Sequence, residues 1–291
     1  MITVTGATGN IGRTLVDLLT EAGEEVVAVS RHPRQASSAA PGVRWIEGHV
    51  GDAASMRAPL TGARALFIVL GGELNAFGED PELLLRAAAD AGVERVVLVS
   101  SQVSATRPEA PSHARLREFE AAVRASDLDF TILRPGGFAS NAFAWADTIR
   151  TKRTVFAPFA DVALPVVDPA DIAAVAAKAL RSPRGQDGDG EGGHGGRVYE
   201  LTGPEPISPR QQAAVISAAL GEEVTFVELS REEAHAAMAR FMPEEAAAGT
   251  LDVLGAPLPA ESRVSADVAT VLGRPAGGFA GWVERNLPAF R

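Results

Sequence analysis

Residues 2–13 read ITVTGATGNIGR, so a β-branched run is followed at once by Gly6, Gly9 and Gly12. A strand, a glycine turn and a helix start, in that order, form a phosphate-binding βα unit. In such a unit Gly6 makes the tight turn, Gly9 lets the backbone approach a pyrophosphate, and Gly12 allows close packing of the helix. The helix N-terminus adds free N–H groups and a partial positive charge. A plain structural turn is the alternative interpretation.

The first half of the chain alternates short apolar strands with helices. Strands are predicted at ITVT, EVVAVS, VRWIEG, RALFIVL, RVVLVS and DFTILR, and helices over residues 11–22, 81–91 and 112–126. Short, nearly all-apolar strands are typical of a parallel sheet that is covered on both faces. Their alternation with helices favours right-handed crossovers. We therefore predict an α/β fold built on a Rossmann-type, doubly wound parallel sheet.

After Arg134 the alternation weakens. Helices are predicted at DIAAVAAKAL, with Asp168 as a possible cap, and at SPRQQAAVISAAL, and strands at RVYELTG and EVTFVEL. These patterns predict a Rossmann core over residues 1–150. Residues 151–291 are predicted to complete the core sheet and to form a smaller, mostly helical substrate-binding subdomain.

The stretch 182–196, SPRGQDGDGEGGHGG, is predicted to be a flexible surface loop because its glycine and charge content opposes packing. His194 within it is predicted to be solvated. A metal site needs several ligands, and a single histidine among glycines does not supply them.

Composition limits the possible functions. A formal net charge of -10 argues against a nucleic-acid partner, and the lack of cysteine excludes disulfides, zinc–thiolate sites and thiol catalysis. No apolar run approaches the roughly 18 residues of a membrane span, and no basic leader precedes the first strand, so we expect no membrane partner and a cytoplasmic location. Arginine far outnumbers lysine, which with abundant alanine, glycine and proline is typical of a GC-rich bacterial genome.

The motif TGATGNIG has G-x-x-G-x-x-G spacing and resembles the extended and atypical branches of the short-chain dehydrogenase/reductase superfamily. The resemblance continues in VSRHPRQA, VVLVSSQVS, DFTILRPGGFASN, VVDPADIAAVAAKAL and YELTGPEPIS. Together these segments are similar to the NmrA-like family along nearly the whole chain. The resemblance implies a Rossmann core that binds NAD(P)H, a smaller C-terminal substrate region and an active cleft between them.

The residues after the second strand bear on the choice of cofactor. An NAD site places an acid at the end of this strand, but Glu25 stands before it, whereas Ser30 and Arg31 end it, with His32 and Arg34 nearby. An arginine there can accommodate a 2′-phosphate through charge-assisted bonds, so NADPH (NADP) is favoured. A solvated basic loop is the alternative.

The resemblance also implies an adenine contact after the third strand. Family members often read GD there, whereas this chain reads EGHVGD, which places His49 and Val50 at the adenine unless the alignment shifts to Asp52. The predicted cofactor site comprises Gly6, Thr8, Gly9, Asn10, Ile11, Gly12, Arg31, His49, Val50, Leu70, Gly71, Ser100, Pro135 and Gly136.

The usual catalytic pair is missing. Tyr199, in RVYELTG, is the only tyrosine and is read as a core strand residue, which excludes a Tyr-x-x-x-Lys mechanism. The resemblance implies a Lys or His four residues before a glutamate, but Leu116 precedes Glu120 by four.

Ser101 and His113 are the remaining catalytic candidates. Ser101 follows the fifth strand, where it can bond a substrate carbonyl or the nicotinamide ribose. His113 lies one helical turn before Arg117; either can face the cleft, and a solvated helix start is the alternative.

The acceptor is predicted to bind after the sixth strand. Gly136 and Gly137 let the chain pass close to the nicotinamide, and Gly137, Phe138 and Asn141 are the predicted substrate contacts. Other apolar side chains form either a lid over a planar aromatic substrate or a second hydrophobic core: Phe143, Trp145, Phe156, Phe159, Met238, Phe241 and Met242.

Two functions remain open. The first is an NADPH-dependent oxidoreductase, monomeric or homodimeric, that transfers hydride to a quinone, an enone or a related small aromatic metabolite. A quinone that accepts hydride becomes a stabilised phenolate that water can protonate, so a strong acid in the protein is not required. The second is a non-catalytic NAD(P)-sensing regulator that binds a partner protein, as resemblance to the NmrA regulators implies.

Overall fold

The computed structural model describes residues 1–31, 41–71, 77–182 and 193–291. Most of the loop predicted at 182–196 lies outside these ranges, as do His32 and Arg34. No helix in the described ranges is long and apolar enough to cross a membrane.

The strands largely follow the sequence-based prediction. They are β1 (Ile2–Val4), β2 (Val26–Ser30), β3 (Val43–Glu47), β4 (Ala65–Val69), β5 (Arg95–Val99), β6 (Asp129–Pro135), β7 (Thr154–Pro158), β8 (Arg197–Leu201) and β9 (Thr225–Leu229).

The helices include several that were not predicted. They are α1 (Asn10–Glu21), α2 (Ala53–Leu60), α3 (Pro81–Asp90), α4 (Val103–Thr106), α5 (Ala114–Ala125), α6 (Ala146–Lys152), α7 (Pro169–Arg181), α8 (Pro209–Leu220), α9 (Arg231–Met238), α10 (Glu244–Gly255), α11 (Asp267–Leu272) and α12 (Phe279–Asn286).

The chain divides into two compact units that interleave along the sequence. The first comprises Met1–Ser104, His113–Pro135 and Ile172–Glu200, and the second Ala105–Ser112, Gly136–Asp171 and Leu201–Arg291. The sequence suggested a Rossmann core over residues 1–150, with residues 151–291 completing the core sheet and forming a second subdomain. The chain returns to the first unit at Ile172, where Arg95, at the start of β5, donates to the Ala179 carbonyl of α7 at 3.1 Å.

The first unit contains a seven-stranded sheet in the order β3-β2-β1-β4-β5-β6-β8. Strands β1 to β6 pair in parallel, with Ile2 opposite both Val26 and Ala65. Strand order reverses between β1 and β4, which is where open α/β sheets bind ligands, outside the carboxyl ends of the strands. The predicted Rossmann-type, doubly wound sheet is confirmed.

The second unit has its own core. Strands β7 and β9 pair in parallel, and helices α6, α8 and α12 contribute apolar side chains that include Ile149, Ile216 and Trp282. Phe143 contacts Trp282 edge-on, with ring centroids 4.9 Å apart. For Phe143, the core interpretation is therefore the one observed. Phe241, in contrast, is 87% exposed.

Candidate functional site

The glycine loop between β1 and α1 is packed so closely that a side chain at Gly6 or Gly12 would clash with its neighbours. Gly6 has φ +59°, and a Cβ there would lie 2.5 Å from Val69 Cγ1. The Gly9 N–H donates to the Gly6 carbonyl at 2.9 Å and closes the turn. A Cβ on Gly12 would lie 2.2 Å from that same carbonyl oxygen. Gly12 thus packs the first turn of α1 against the loop itself.

This loop presents free donors to an anion. Gly6, Thr8, Gly9 and Asn10 are exposed, whereas Ile11 and Gly12 are buried. No side chain caps α1 at Gly9, and its first turn carries no acid. The first N–H groups of a helix have no partner within the helix, so they point at whatever lies beyond its end. The cradle at the carboxyl end of β1 therefore fits a pyrophosphate.

Arg31 lies at the same edge of the sheet as the loop. The Ala7 N–H donates to the Val29 carbonyl at 3.3 Å, which fixes the loop against the end of β2. Arg31 follows β2 directly, is exposed, and has no hydrogen bond or ion pair with the described residues. Its guanidinium is thus available to a ligand held by the loop.

The turn after β3 contains the candidate adenine contacts. Val50 is buried, and the partly buried His49 donates its N–H to Ser55 Oγ at 3.0 Å. Asp52, the alternative position, caps α2 by accepting from the N–H groups of Ala54 and Ser55 at 3.0 and 3.2 Å. Asp52 is thus engaged as the N-cap of α2. Leu70 and Gly71 follow β4, at the carboxyl end of the strand that neighbours β1.

Ser100 and Ser101 occupy the carboxyl end of β5 in different ways. Ser100 is buried and donates to Glu120 Oε1 at 2.6 Å, so its hydroxyl belongs to a buried network. Ser101 is partly exposed, and its Oγ accepts the Val103 N–H at 3.2 Å, at the start of α4. The Ser101 hydroxyl keeps its own hydrogen for a ligand oxygen. Of the two serines, Ser101 is the better candidate for a ligand contact.

Glu120 is a buried anchor whose role the sequence did not reveal. Arg134 donates to it with Nε and Nη2, at 2.9 and 2.6 Å. Burial opposes ionisation, but the bonds from Arg134 and Ser100, with the nearby Arg124 charge, hold the pKa of Glu120 below its ordinary value. The carboxylate joins α5 to the ends of β5 and β6. The signal in the sequence was that Glu120 stands between the apolar residues Phe119 and Ala122. Both of these residues are buried in the structure.

His113 and Arg117 lie at the start of α5. His113 is partly buried, and burial, followed by the Arg117 charge, lowers the pKa of His113. The imidazole is therefore neutral at neutral pH. Arg117 Nη1 is buried and has no hydrogen-bond partner among the described residues.

The candidate acceptor residues follow β6. Pro135 ends β6 in the first unit, whereas Gly136, Gly137, Phe138 and Asn141 belong to the second. Within the second unit, the Val167 N–H donates to the Gly137 carbonyl at 2.8 Å, which sets the backbone beside Phe138. Phe138 is partly buried and Asn141 is exposed.

The prediction for His194 was wrong. His194 is partly buried, and its Nδ1 lies 2.8 Å from the Tyr199 hydroxyl. Burial lowers the pKa of His194, and neighbouring cations that include Arg95 and Lys178 lower it further. The histidine is therefore a fixed neighbour of β8 and not a solvated loop residue. No cluster of metal-ligating side chains occurs within residues 1–31, 41–71, 77–182 and 193–291.

Comparison with known proteins identifies an NAD(P)H-binding family and two similar reductases. The model of a family described as NAD(P)H-binding matches residues 6–183. A (4-alkanoyl-5-oxo-2,5-dihydrofuran-3-yl)methyl phosphate reductase from Streptomyces griseus is 36% identical, over 100% of this chain and 99% of its own. An NAD(P)H azoreductase from Xenophilus azovorans is 32% identical, again over 100% and 99%.

Solved structures of other proteins are also similar to this chain. The Escherichia coli NADPH-dependent quinone oxidoreductase QOR2, complexed with NADPH, has 26% identity and a TM-score of 0.79, with 99% of this chain and 100% of that chain covered. NmrA, a negative transcriptional regulator, shares the fold, with 21% identity, a TM-score of 0.72 and coverage of 99% and 95%. This chain belongs to the NAD(P)H-binding family.

Proposed function

We propose that this protein is an NADPH-dependent reductase that transfers hydride to a small conjugated acceptor such as a quinone or an enone. The observation that supports it most directly is the anion cradle of Gly6, Gly9 and Gly12, with the unpaired Arg31 at the same edge. Sequence identities of 36% and 32%, over the entire chain, to two proteins named as reductases add to this support.

The relatives' names share one kind of acceptor chemistry. The substrate named for the Streptomyces griseus relative has a ring double bond conjugated to both an alkanoyl and a lactone carbonyl. Azo groups and quinones are electron-poor conjugated systems as well. Each accepts hydride to give a stabilised anion, which then takes a proton from water. Such acceptors suit a chain without a Tyr-x-x-x-Lys pair better than a simple ketone does.

Different residues of the first unit contact different parts of the cofactor and the acceptor. The N-terminus of α1 holds the pyrophosphate, Arg31 holds the 2′-phosphate, and His49 and Val50 border the adenine. Ser101 donates its hydroxyl hydrogen to the acceptor carbonyl or to the nicotinamide ribose. His113, being neutral, acts as a hydrogen-bonding group and not as a charged acid. When bound, the reduced nicotinamide supplies the hydride.

The test is NADPH oxidation, followed by the loss of nicotinamide absorbance, with four acceptors: a quinone, an acylated butenolide, an azo dye and a simple ketone. We expect turnover with at least one conjugated acceptor and none with the ketone. Ketone reduction at a comparable rate would contradict the argument from acceptor chemistry.

The alternative is a non-catalytic NAD(P)-sensing regulator. It rests on the missing catalytic pair and on Leu116, because likeness to NmrA at 21% identity concerns the fold alone. Tight NADPH binding with no turnover of any acceptor in the panel would favour this alternative and refute the reductase.

A further inference from the structure

Arg117 has an unbalanced positive charge in the first turn of α5. Its Nη1 atom is buried without a hydrogen-bond partner, and the residue forms no ion pair with the part of the chain that the structure describes. A buried donor without a partner is costly, and most are satisfied by protein, water or ligand. Arg117 is only partly buried as a residue, so its other nitrogens remain within reach of a ligand.

The two carboxylates of α5 are already engaged. Glu118 accepts from Arg115 at 2.7 Å, and Glu120 accepts from Arg134 and Ser100 at 2.6 Å each. Neither carboxylate of α5 therefore pairs with Arg117. An anion from outside the protein can supply a counter-charge.

The position of Arg117 points to the acceptor end of the site. The Ser100–Glu120 bond fixes α5 at the carboxyl end of β5, and Arg117 lies one turn closer to the helix N-terminus than Glu120. Strand β4 lies between β5 and β1, so the end of β5 is two strands away from the strand that leads into the glycine cradle. The cofactor phosphates already have the cradle and Arg31.

We propose that Arg117 binds an anionic group, such as a phosphate, that the acceptor carries. The inference rests on the proposed reductase function and narrows its substrate class to anionic conjugated acceptors. A guanidinium offers a planar fork of donors that matches a phosphate or carboxylate. The same chemistry could serve a phosphate of the cofactor, and the experiment separates these two sources.

The probes are the (4-alkanoyl-5-oxo-2,5-dihydrofuran-3-yl)methyl phosphate and the alcohol that a phosphatase releases from it. The variants are Arg117→Gln, Arg117→Lys and the matched control Arg86→Gln, which removes an exposed arginine of α3. In Arg117→Gln we expect kcat/KM for the phosphate ester to fall about tenfold or more, with the alcohol and the NADPH Kd changed less than about twofold. Arg117→Lys should recover part of the loss, and Arg86→Gln should match the wild type.

Three results would overturn the inference. They are an equal loss with ester and alcohol, a weakened NADPH Kd in Arg117→Gln, and no effect with either acceptor. Calorimetric titration of the phosphate ester into NADP⁺-loaded protein provides a readout that does not need turnover. Suppose that the wild type binds the ester without turning it over, and that Arg117→Gln no longer binds it. Arg117 would then stand as the anion site, and only the reductase proposal would be refuted.

Discussion

A Cβ atom on Gly12 would lie 2.2 Å from the carbonyl oxygen of Gly6, so the first turn of α1 and the preceding loop pack backbone against backbone. The Gly9 N–H donates to that same carbonyl, so the oxygen cannot move without opening the turn. Neither partner of the Gly12 contact is a flexible side chain. The shape of the anion cradle therefore depends on the absence of one methyl group.

Replacing Gly12 by alanine should deform the cradle. We expect Gly12→Ala to weaken NADPH binding by at least about tenfold, which is about 1.4 kcal/mol, measured by the fluorescence of the bound nicotinamide. The matched control is Gly281→Ala, also within a helix, where a Cβ has only an ordinary contact at 3.5 Å with Arg285 Nη1. That variant should bind NADPH normally, and unchanged binding in Gly12→Ala would contradict a cofactor role for the loop.

The sequence predicted the sheet well because local signals are strong there. The strands of the first unit are short apolar runs, and the glycine loop carries its own spacing, so β1 to β6 and α1 follow from nearby residues. Strand β7 was missed because TVFAP ends in a proline and pairs with β9, far along the chain. Residues 151–291 were predicted to complete the core sheet, but no local signal marks residue 172 as the point where the chain returns to the first unit.

Side-chain partners were the least predictable part of the site. Glu120 and Arg134 meet only because α5 packs on the ends of β5 and β6. His194 meets Tyr199 across the turn that precedes β8, although its glycine-rich surroundings read as solvent. Burial and pairing of polar groups depend on the packed structure, which a pattern of residue types does not contain.

Arg31 should set the preference between the two nicotinamide cofactors. Arg31→Glu reverses the charge that a 2′-phosphate would meet, so we expect the NADPH Kd to rise by about 10- to 100-fold, since a charged hydrogen bond contributes roughly 1.5–3 kcal/mol. The NADH Kd should stay the same or improve. Binding titrations of both cofactors measure this, with Arg86→Glu as the control for the same change in net charge. Equal NADPH affinity in wild type and Arg31→Glu would refute the assignment.

The buried Glu120–Arg134 pair should be a main support of α5. Glu120→Ala leaves Arg134 and Ser100 without their acceptor, and we expect the free energy of unfolding to fall by about 3 kcal/mol, as breaking a buried ion pair from one side typically costs roughly 3–5. Urea denaturation measures the change. Asp147→Ala is the control: Asp147 and its partner Arg150 are 79% and 43% exposed, so the loss should stay below about 1 kcal/mol.

The same carboxylate gives a pH signature. The pKa of Glu120 in the folded protein lies below its ordinary value of 4.5, so its contribution to stability is complete above that value. The contribution is lost as the pH falls through the lower, folded pKa. Glu120→Ala should therefore destabilise the protein less at acidic than at neutral pH. If Glu120→Ala lowers the free energy of unfolding as much at acidic pH as at neutral pH, the ion-pair explanation is wrong.

His113 should titrate below its ordinary value of 6.5, because burial and then the Arg117 charge disfavour the imidazolium. Arg117→Gln removes the second cause, so the pKa of His113 should rise but stay below the ordinary value, since burial is the larger cause. NMR titration measures it, with the His113 signal assigned by its loss in His113→Gln. Arg86→Gln should leave the pKa unchanged, and an equal rise in that control would mean that net charge, and not the Arg117 contact, is responsible.

The sign of the shift also predicts how stability depends on pH. Because the folded pKa of His113 is below the unfolded one, neutral His113 supports the fold fully above about pH 6.5, and this support is lost as the pH falls through the folded pKa. His194, with its lowered pKa, acts in the same direction. In urea denaturation His113→Gln should reduce the loss of stability on mild acidification. A loss as steep as in the wild type would show that His113 does not titrate in this range.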